Sequence, residues 1–344
     1  MTHPALSRRA LLLAAPALLA APAVRAQGGP LEVKVSLAAP FDGSNAAFFL
    51  AEERGWFREA GLRCQFDASG GSGEAVTRVG SGSYDFGIGD INVLLEFNAK
   101  NPGAAARCVY MVYYRSPLSA ASFTRAGIDS PAKLAGKRIG AALTDGAYRI
   151  FPAYAATAGI DASAIRWQYG DLRLREAFLM RGDADAILGF DSTMYFGLVR
   201  AGAKPEDISF QYFADAGLPL YGNGILASKR MLETNPEAVR RFTAAAARGW
   251  QAAAADPAAA IAALRRREAL TDVALETDKL RWLITKQMTT EESRADGMGG
   301  VRADRFATSV ATVSRAFGLA APLAPGDVFD PSFLPSAEIR RLPS

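Results

Sequence analysis

Four carboxylates stand where predicted strands give way to turns: Asp42 after a strand over 32–38, Glu74 after 62–68, Asp90 after 84–88 and Asp191 after 184–190. Acids so placed can accept from N–H donors or neutralise a cation, and four together exceed what solvated turns require. Arg149, one turn into a helix predicted over 145–158, is the cation best placed to meet an anionic group; its alternative use is a surface or interlobe ion pair. Ser72 and Asp145 stand where helices begin, as caps for free N–H groups and as neighbours of the helix end that attracts anions. Phe41, Tyr148 and Tyr221 could sandwich a planar ligand, and Asn45, Asn92, Ser192 and Asn223 add polar groups in the same turns.

The chemistry that is missing narrows the function further. His3 is the only histidine and lies in a leader, so Ser-His-Asp and Cys-His catalysis and His-ligated zinc are closed to the working protein. Three strings mimic catalytic or cofactor motifs and have simpler readings. Gly87-Ile88-Gly89-Asp90-Ile91-Asn92 lacks the third glycine of a dinucleotide fingerprint and reads as a tight strand-to-helix turn. Ser130-Pro131-Ala132-Lys133 has Ser-x-x-Lys spacing, but a Ser cap before Pro explains it and the partner strings are absent. Gly70-Gly71-Ser72-Gly73-Glu74 lacks the last glycine of a nucleophile elbow. Cys64 and Cys108 lie in apolar strand-like runs and read as two buried free thiols; their spacing fits no metal motif. No cofactor or metal is expected.

The first 26 residues read as an export leader: Arg8-Arg9, an apolar run to Ala23, and the small-residue pattern Val24-Arg25-Ala26, with cleavage near Ala26. The twin arginines favour the twin-arginine route, although arginines also open ordinary secretory leaders. The working protein is thus expected outside the cytoplasm, in the periplasm. The formal charge of +4 falls close to zero once Arg8, Arg9 and Arg25 leave, which gives no polybasic surface for nucleic acid or anionic lipid. The roughly 320 residues that follow exceed what one core usually serves, so two lobes are expected.

Stepping along those residues, strands alternate with helices: strand 32–38, helix 46–60, strand 62–68, helix 74–79, strand 84–88, helix 92–100 and strand 107–114. The alternation restarts with 119–124, 137–142, 145–158, 165–169, 172–180 and 184–190, and a return strand is predicted over 218–227. This pattern predicts two α/β lobes built of βαβ units. Asn235-Pro236 and Asp256-Pro257 place capping side chains before Pro at the starts of two alanine-rich helices. The proline-bearing tail is expected to pack over the lobes with little regular structure. Ligands of open α/β sheets bind at the carboxyl ends of parallel strands, where the candidate contacts above lie, except Tyr221 and Asn223, which lie near the return crossing.

Four stretches carry a family resemblance: Ala47-Phe48-Phe49-Leu50-Ala51-Glu52-Glu53-Arg54-Gly55-Trp56-Phe57 with Ala60-Gly61-Leu62; Gly80-Ser81-Gly82-Ser83-Tyr84-Asp85-Phe86-Gly87; Ser130-Pro131-Ala132-Lys133-Leu134-Ala135-Gly136-Lys137-Arg138-Ile139-Gly140; and Tyr221-Gly222-Asn223-Gly224. Together they resemble periplasmic solute-binding proteins of ABC importers, type II, in the branch of nitrate, taurine, alkanesulfonate and thiamine-pyrimidine-precursor binders. The resemblance implies a lobe of 27–114 with 218–344, a second lobe of 115–217, a two-strand hinge and a monomer that delivers solute to an inner-membrane ABC permease. Within that family the mixture of acids with Arg149 favours a small, polar, nitrogen-containing organic solute, heteroaromatic or of the taurine and sulfonate kind, over nitrate, which surplus carboxylates would repel, and no catalysis is expected. Two other readings stay open: an enzyme of thiamine-pyrimidine synthesis on the same scaffold, whose histidines this chain lacks, and a ligand-sensing component of a signalling system.

Overall fold

The computed structural model describes residues 29–218, 220–319 and 323–343. The leader with His3 and its cleavage site lies outside them. Strands β1 (Leu31–Ser36), β2 (Leu62–Asp67), β3 (Phe86–Asp90), β4 (Arg107–Met111) and β10 (Asn223–Ala227) form one sheet in the order β2-β1-β3-β10-β4. The second sheet runs β7-β6-β8-β5-β9, from β5 (Leu118–Phe123), β6 (Arg138–Ala141), β7 (Arg166–Tyr169), β8 (Ala186–Phe190) and β9 (Ile208–Tyr212). Both sheets are mixed. In each, the one reversed strand is the strand that follows a crossing between sheets: β5 lies antiparallel to β8 and β9, and β10 to β3 and β4.

That reversal has a geometric consequence. A strand arriving from the other sheet starts at the edge where its parallel neighbours end, so Asn223 opposes Asp90 and Leu118 opposes Phe190. The carboxyl ends of the parallel strands and both crossings therefore share one gap between the sheets. Every residue of β5 and of β10 is buried, as expected of strands covered on both faces.

The helices fill in between: α1 (Ala46–Glu53), α2 (Trp56–Glu59), α3 (Ser72–Gly80) and α4 (Ile91–Lys100) in the first half, then α5 (Gly146–Ala158), α6 (Arg175–Arg181) and α7 (Asp191–Arg200) around the second sheet. The C-terminal part is helical: α8 (Lys229–Thr234), α9 (Pro236–Ala255), α10 (Pro257–Arg267), α11 (Val273–Leu283) continued by a π-helical turn over Ile284–Met288, α12 (Glu291–Asp296), α13 (Ala303–Ala316) and α14 (Ala337–Arg340). Helices α9 and α10 pack on α1 and close the core of the first sheet, where Phe242 stacks on Phe86 at 4.0 Å and 5° and Trp250 meets Phe48 edge-on. No described helix is long and apolar enough to cross a membrane.

Three local expectations are corrected. Asp256 caps α10 through Ala259 N–H at 3.0 Å, but Asn235 makes no such bond at α9 and turns its amide to Thr234 instead. Ser130 precedes a 3₁₀ turn over Pro131–Leu134 without a side-chain cap. Ser72 is the first residue of α3, and Gly71 holds the cap position. The described part of the tail, from residue 323, has little regular structure, as expected: two short turns and the four-residue α14, with Phe329 pairing to Cys108 of the edge strand β4. The thiols are free, as read from the sequence. Cys64 on β2 and Cys108 on β4 occupy opposite edges of one sheet, about 19 Å apart at ordinary strand spacing, too far for a disulfide.

Candidate functional site

The gap between the sheets is walled by three helix N-termini, one from the first lobe and two from the second. Ser72 opens α3, Gly146 opens α5, and Ser192 and Thr193 follow Asp191 at the start of α7; together with Asn223 and Asn45 they line an inner cavity of about 30 Å³. Ala38, Ile88, Tyr113, Leu172 and Phe190 supply its apolar wall. A second cavity of about 200 Å³ shares Leu172 and Thr193 with the first and reaches outward past Phe41 and Asp42 to α11. Each helix turns the positive end of its dipole to the gap, although protein acceptors already take Gly73, Ala147 and Ser192 N–H, so the floor favours an anionic or acceptor-rich group through the dipoles.

Beside these termini lies an ion pair with 1% of the arginine exposed. Arg175 Nη1 donates to Asp145 Oδ2 at 2.9 Å and to Leu188 O at 3.2 Å, while Nη2 and Nε reach Glu176 Oε1 at 2.6 and 3.1 Å. Asp145 spends its other oxygen on Ala147 N–H at 2.7 Å, capping α5 as expected from its place before the helix. Burial works against the charge on Arg175, and the carboxylates of Glu176 and Asp145 outweigh it, so the guanidinium pKa is raised. Gly189 on β8 makes the room, because a Cβ there would collide with the guanidinium. Sequence reasoning passed over Arg175, which reads as one more surface cation in Leu172-Arg173-Leu174-Arg175-Glu176. The signal available was the need of a buried Asp145 for a partner. Phe190 and Thr193 were missed by one position, Ala38 because it ends the predicted strand three residues before Phe41, and Tyr113 because it lies in the first crossing.

Of the predicted contacts, Asn45, Ser72, Asp145, Ser192 and Asn223 line the inner cavity and Phe41 and Asp42 the outer one. The remaining seven line neither and hold the frame around it. Glu74 folds back, accepting from Gly70 N–H at 2.6 Å and pairing with Arg78. Asp90 caps α4 through Asn92 N–H at 2.9 Å and also accepts from Asn92 Nδ2 at 2.8 Å; that amide also donates to Tyr221 O. Its second oxygen, Oδ2, is buried with no hydrogen-bond partner, and burial, reinforced by Asp145 and only partly offset by Asn92, raises the Asp90 pKa to about 6. Tyr148 points its hydroxyl at that of Tyr169, 3.2 Å away, and its ring at Trp167. Arg149, expected to meet an anion, is bound to Glu96 of α4 at 2.8 Å, an ion pair between the lobes. Tyr221 donates to Glu292 at 2.5 Å, with the Arg305 guanidinium over its ring.

Asp191 ties the second lobe to the C-terminal helices. It accepts from Gln287 Nε2 at 2.8 and 2.9 Å, from Trp282 Nε1 at 3.1 Å and from Tyr212 OH at 3.1 Å, and burial lifts its pKa to about 6 against those bonds. The expected surplus of negative charge is thereby removed: Asp42 is paired with Lys279, Asp145 with Arg175 and Glu74 with Arg78. The cavity walls carry balanced charge, Asp42, Glu176 and Glu276 facing Arg173, Arg200 and Lys279 in the outer part. Among the described residues no group of acids, cysteines or histidines could hold a metal ion.

Solved structures share this architecture. A protein from Bordetella bronchiseptica RB50 superposes with a TM-score of 0.67 at 18% identity, over 88% of this chain and 95% of that one. The alkanesulfonate-binding protein SsuA from Xanthomonas axonopodis pv. citri, bound to MOPS, gives 0.65 at 16% identity over 87% and 96%. The periplasmic aliphatic sulphonate binding protein SsuA from Escherichia coli gives 0.65 at 16% identity over 89% and 94%. The two-sheet fold with its helical C-terminal region is thus that of periplasmic binding proteins. No match was found among curated protein sequences. The model of the NMT1/THI5 like family matches residues 43–260, well over half of the chain, from Gly43 after β1 through both crossings into α10. The chain therefore belongs to the NMT1/THI5 like family.

Proposed function

We propose that this protein is an extracytoplasmic solute-binding receptor that captures a small organic solute between its two lobes and presents it to an ABC permease. One observation carries the reading: helix N-termini from both lobes converge on a charge-balanced cavity whose walls mix amide and hydroxyl groups with apolar side chains. Such a site suits a solute with a compact anionic or acceptor-rich end and a small body. Within the classes raised by the sequence, a sulfonate or a zwitterion such as taurine fits better than a cationic pyrimidine, because the carboxylates that favoured a cation are already paired. Sulfonate binders among the structural neighbours point the same way. The inner cavity of about 30 Å³ holds no more than a water molecule or two, so a solute enters only if the lobes, 27–114 with 218–344 and 115–217, part about the crossings.

No thiol lines the cleft, and no histidine is available among the described residues to activate its serines. Both cysteines sit in the first sheet away from the cavity, and burial raises both thiols, Cys108 to about 12. The receptor acts as a monomer and needs no cofactor. The experiment is a thermal-shift panel on unfolded and refolded protein, free of carried-over solute, with sulfonates, taurine, pyrimidines, purines, nitrate and aromatic acids. A shift confined to one class, sulfonates first, is the expected result; a folded protein that none of them stabilises would remove the reading.

A further inference from the structure

The glycine-rich turn between β2 and α3 does more than join them. Gly73 N–H donates to Thr144 O at 2.9 Å, and Thr144 Oγ1 donates to Gly70 O at 2.5 Å. Thr144 follows β6, so both bonds run from one lobe to the other. The approach leaves no space for a side chain: a Cβ on Gly71 would stand 2.8 Å from Thr144 O, and one on Gly73 2.7 Å from the same backbone oxygen. Gly71 also needs glycine for its own conformation, φ 122°. Gly73 does not. It lies in the first turn of α3, where alanine is the better helix former, so the only demand for glycine at 73 comes from across the gap.

The same contact forms the wall of the candidate site, because Gly71, Ser72, Asp145 and Gly146 all line the inner cavity. The Arg149–Glu96 pair fastens the lobes a second time, from the first turn of α5 to α4.

We propose that the Gly70–Gly73 turn and Thr144 are the closure latch of this receptor: a backbone seam that seals the cleft when the lobes meet and must part to admit solute. The proposal rests on the receptor reading for its purpose, but not for its test. In solute-free full-length protein carrying Gly70→Cys and Thr144→Cys, oxidised glutathione should close a 70–144 disulfide, read by intact mass after thiol alkylation. Adding Gly73→Ala should slow that cross-link by about tenfold or more, since the methyl group meets backbone only in the closed arrangement. Gly103→Ala, whose Cβ would meet nothing within 4 Å, should leave the rate unchanged.

Three results would overturn the latch. One is a folded double-cysteine protein that forms no 70–144 bond. Another is the same cross-linking rate with and without Gly73→Ala. The third is a Gly73→Ala chain that fails to fold, which would make the seam a permanent part of the core. A flat solute panel alongside a working latch would count against the receptor reading alone, and a clear solute with no latch against the seam alone.

Discussion

Asp90 shows how a single side chain can be legible by position and illegible by role. Its place at the end of β3 was readable, and so was its neighbour Asn92; that it turns inward to cap α4, leaving Oδ2 buried without a partner, depends on β10 and α13 covering it from much later in the sequence. Arg149 was likewise well placed in sequence, but its partner Glu96 belongs to the other lobe, 53 residues away. Asp90 and Asp191 both have pKa values raised by burial from 3.8 to about 6. A carboxyl that binds its proton more tightly when folded lowers stability as pH rises, here from about 4 through 6, and the loss is full above that. Asp90→Asn should therefore gain on wild type between pH 4.5 and 7.5, by on the order of 2 kcal/mol, in denaturant titrations. A difference that does not change with pH would mean that Asp90 is ionised in the folded and unfolded states alike over this range and that its pKa is not raised. Arg175→Ala leaves Asp145 buried without its counter-charge and should cost about 3–5 kcal/mol, measured by the same titrations at pH 7. A cost under about 1 kcal/mol would show the pair to be solvated.

At the scale of elements, alternation of strand and helix was written plainly in the chain, and the parallel units β1–α1–β2, β2–α3–β3 and β6–α5–β7 follow it. The insertion of β5 and β10 as reversed central strands was less visible, because apolar patterning marks a buried strand without giving its direction. Capping was half legible: Asp145 and Asp256 cap as read, whereas Asn235 does not. The helices after β10 were readable as helices only. Their attachment to the first sheet comes from the Phe242–Phe86 stack and from Trp250 against Phe48. Phe242→Ala should thus destabilise by about 3–5 kcal/mol. Urea unfolding followed by the tryptophans would test this, and a loss below about 1 kcal/mol would show that α9 is only loosely seated on the sheet.

For the whole molecule, the sequence pointed to two α/β lobes and to the edge where they face each other, and the structure sets the helix N-termini of both around that edge. What it did not reveal was the charge balance there. Asp42 meets Lys279 and Asp191 meets Gln287 only after the C-terminal helices wrap back, which takes up two of the four apparent free acids; Glu74 turns to Arg78 and Asp90 to Asn92 within the first lobe. The cleft so formed is the centre of the functional account, and occupying it is the most direct challenge. Ala39 lines the inner cavity and is only partly buried, so Ala39→Trp should fill the cleft without disturbing either core. The decisive measurement is the thermal shift produced by taurine and alkanesulfonates in wild type and in Ala39→Trp. A solute at about 1,000 times its dissociation constant adds roughly 4 kcal/mol to the native state. The account predicts a shift of several degrees in wild type that disappears in Ala39→Trp; a shift that survives the substitution intact would place the solute elsewhere and contradict it.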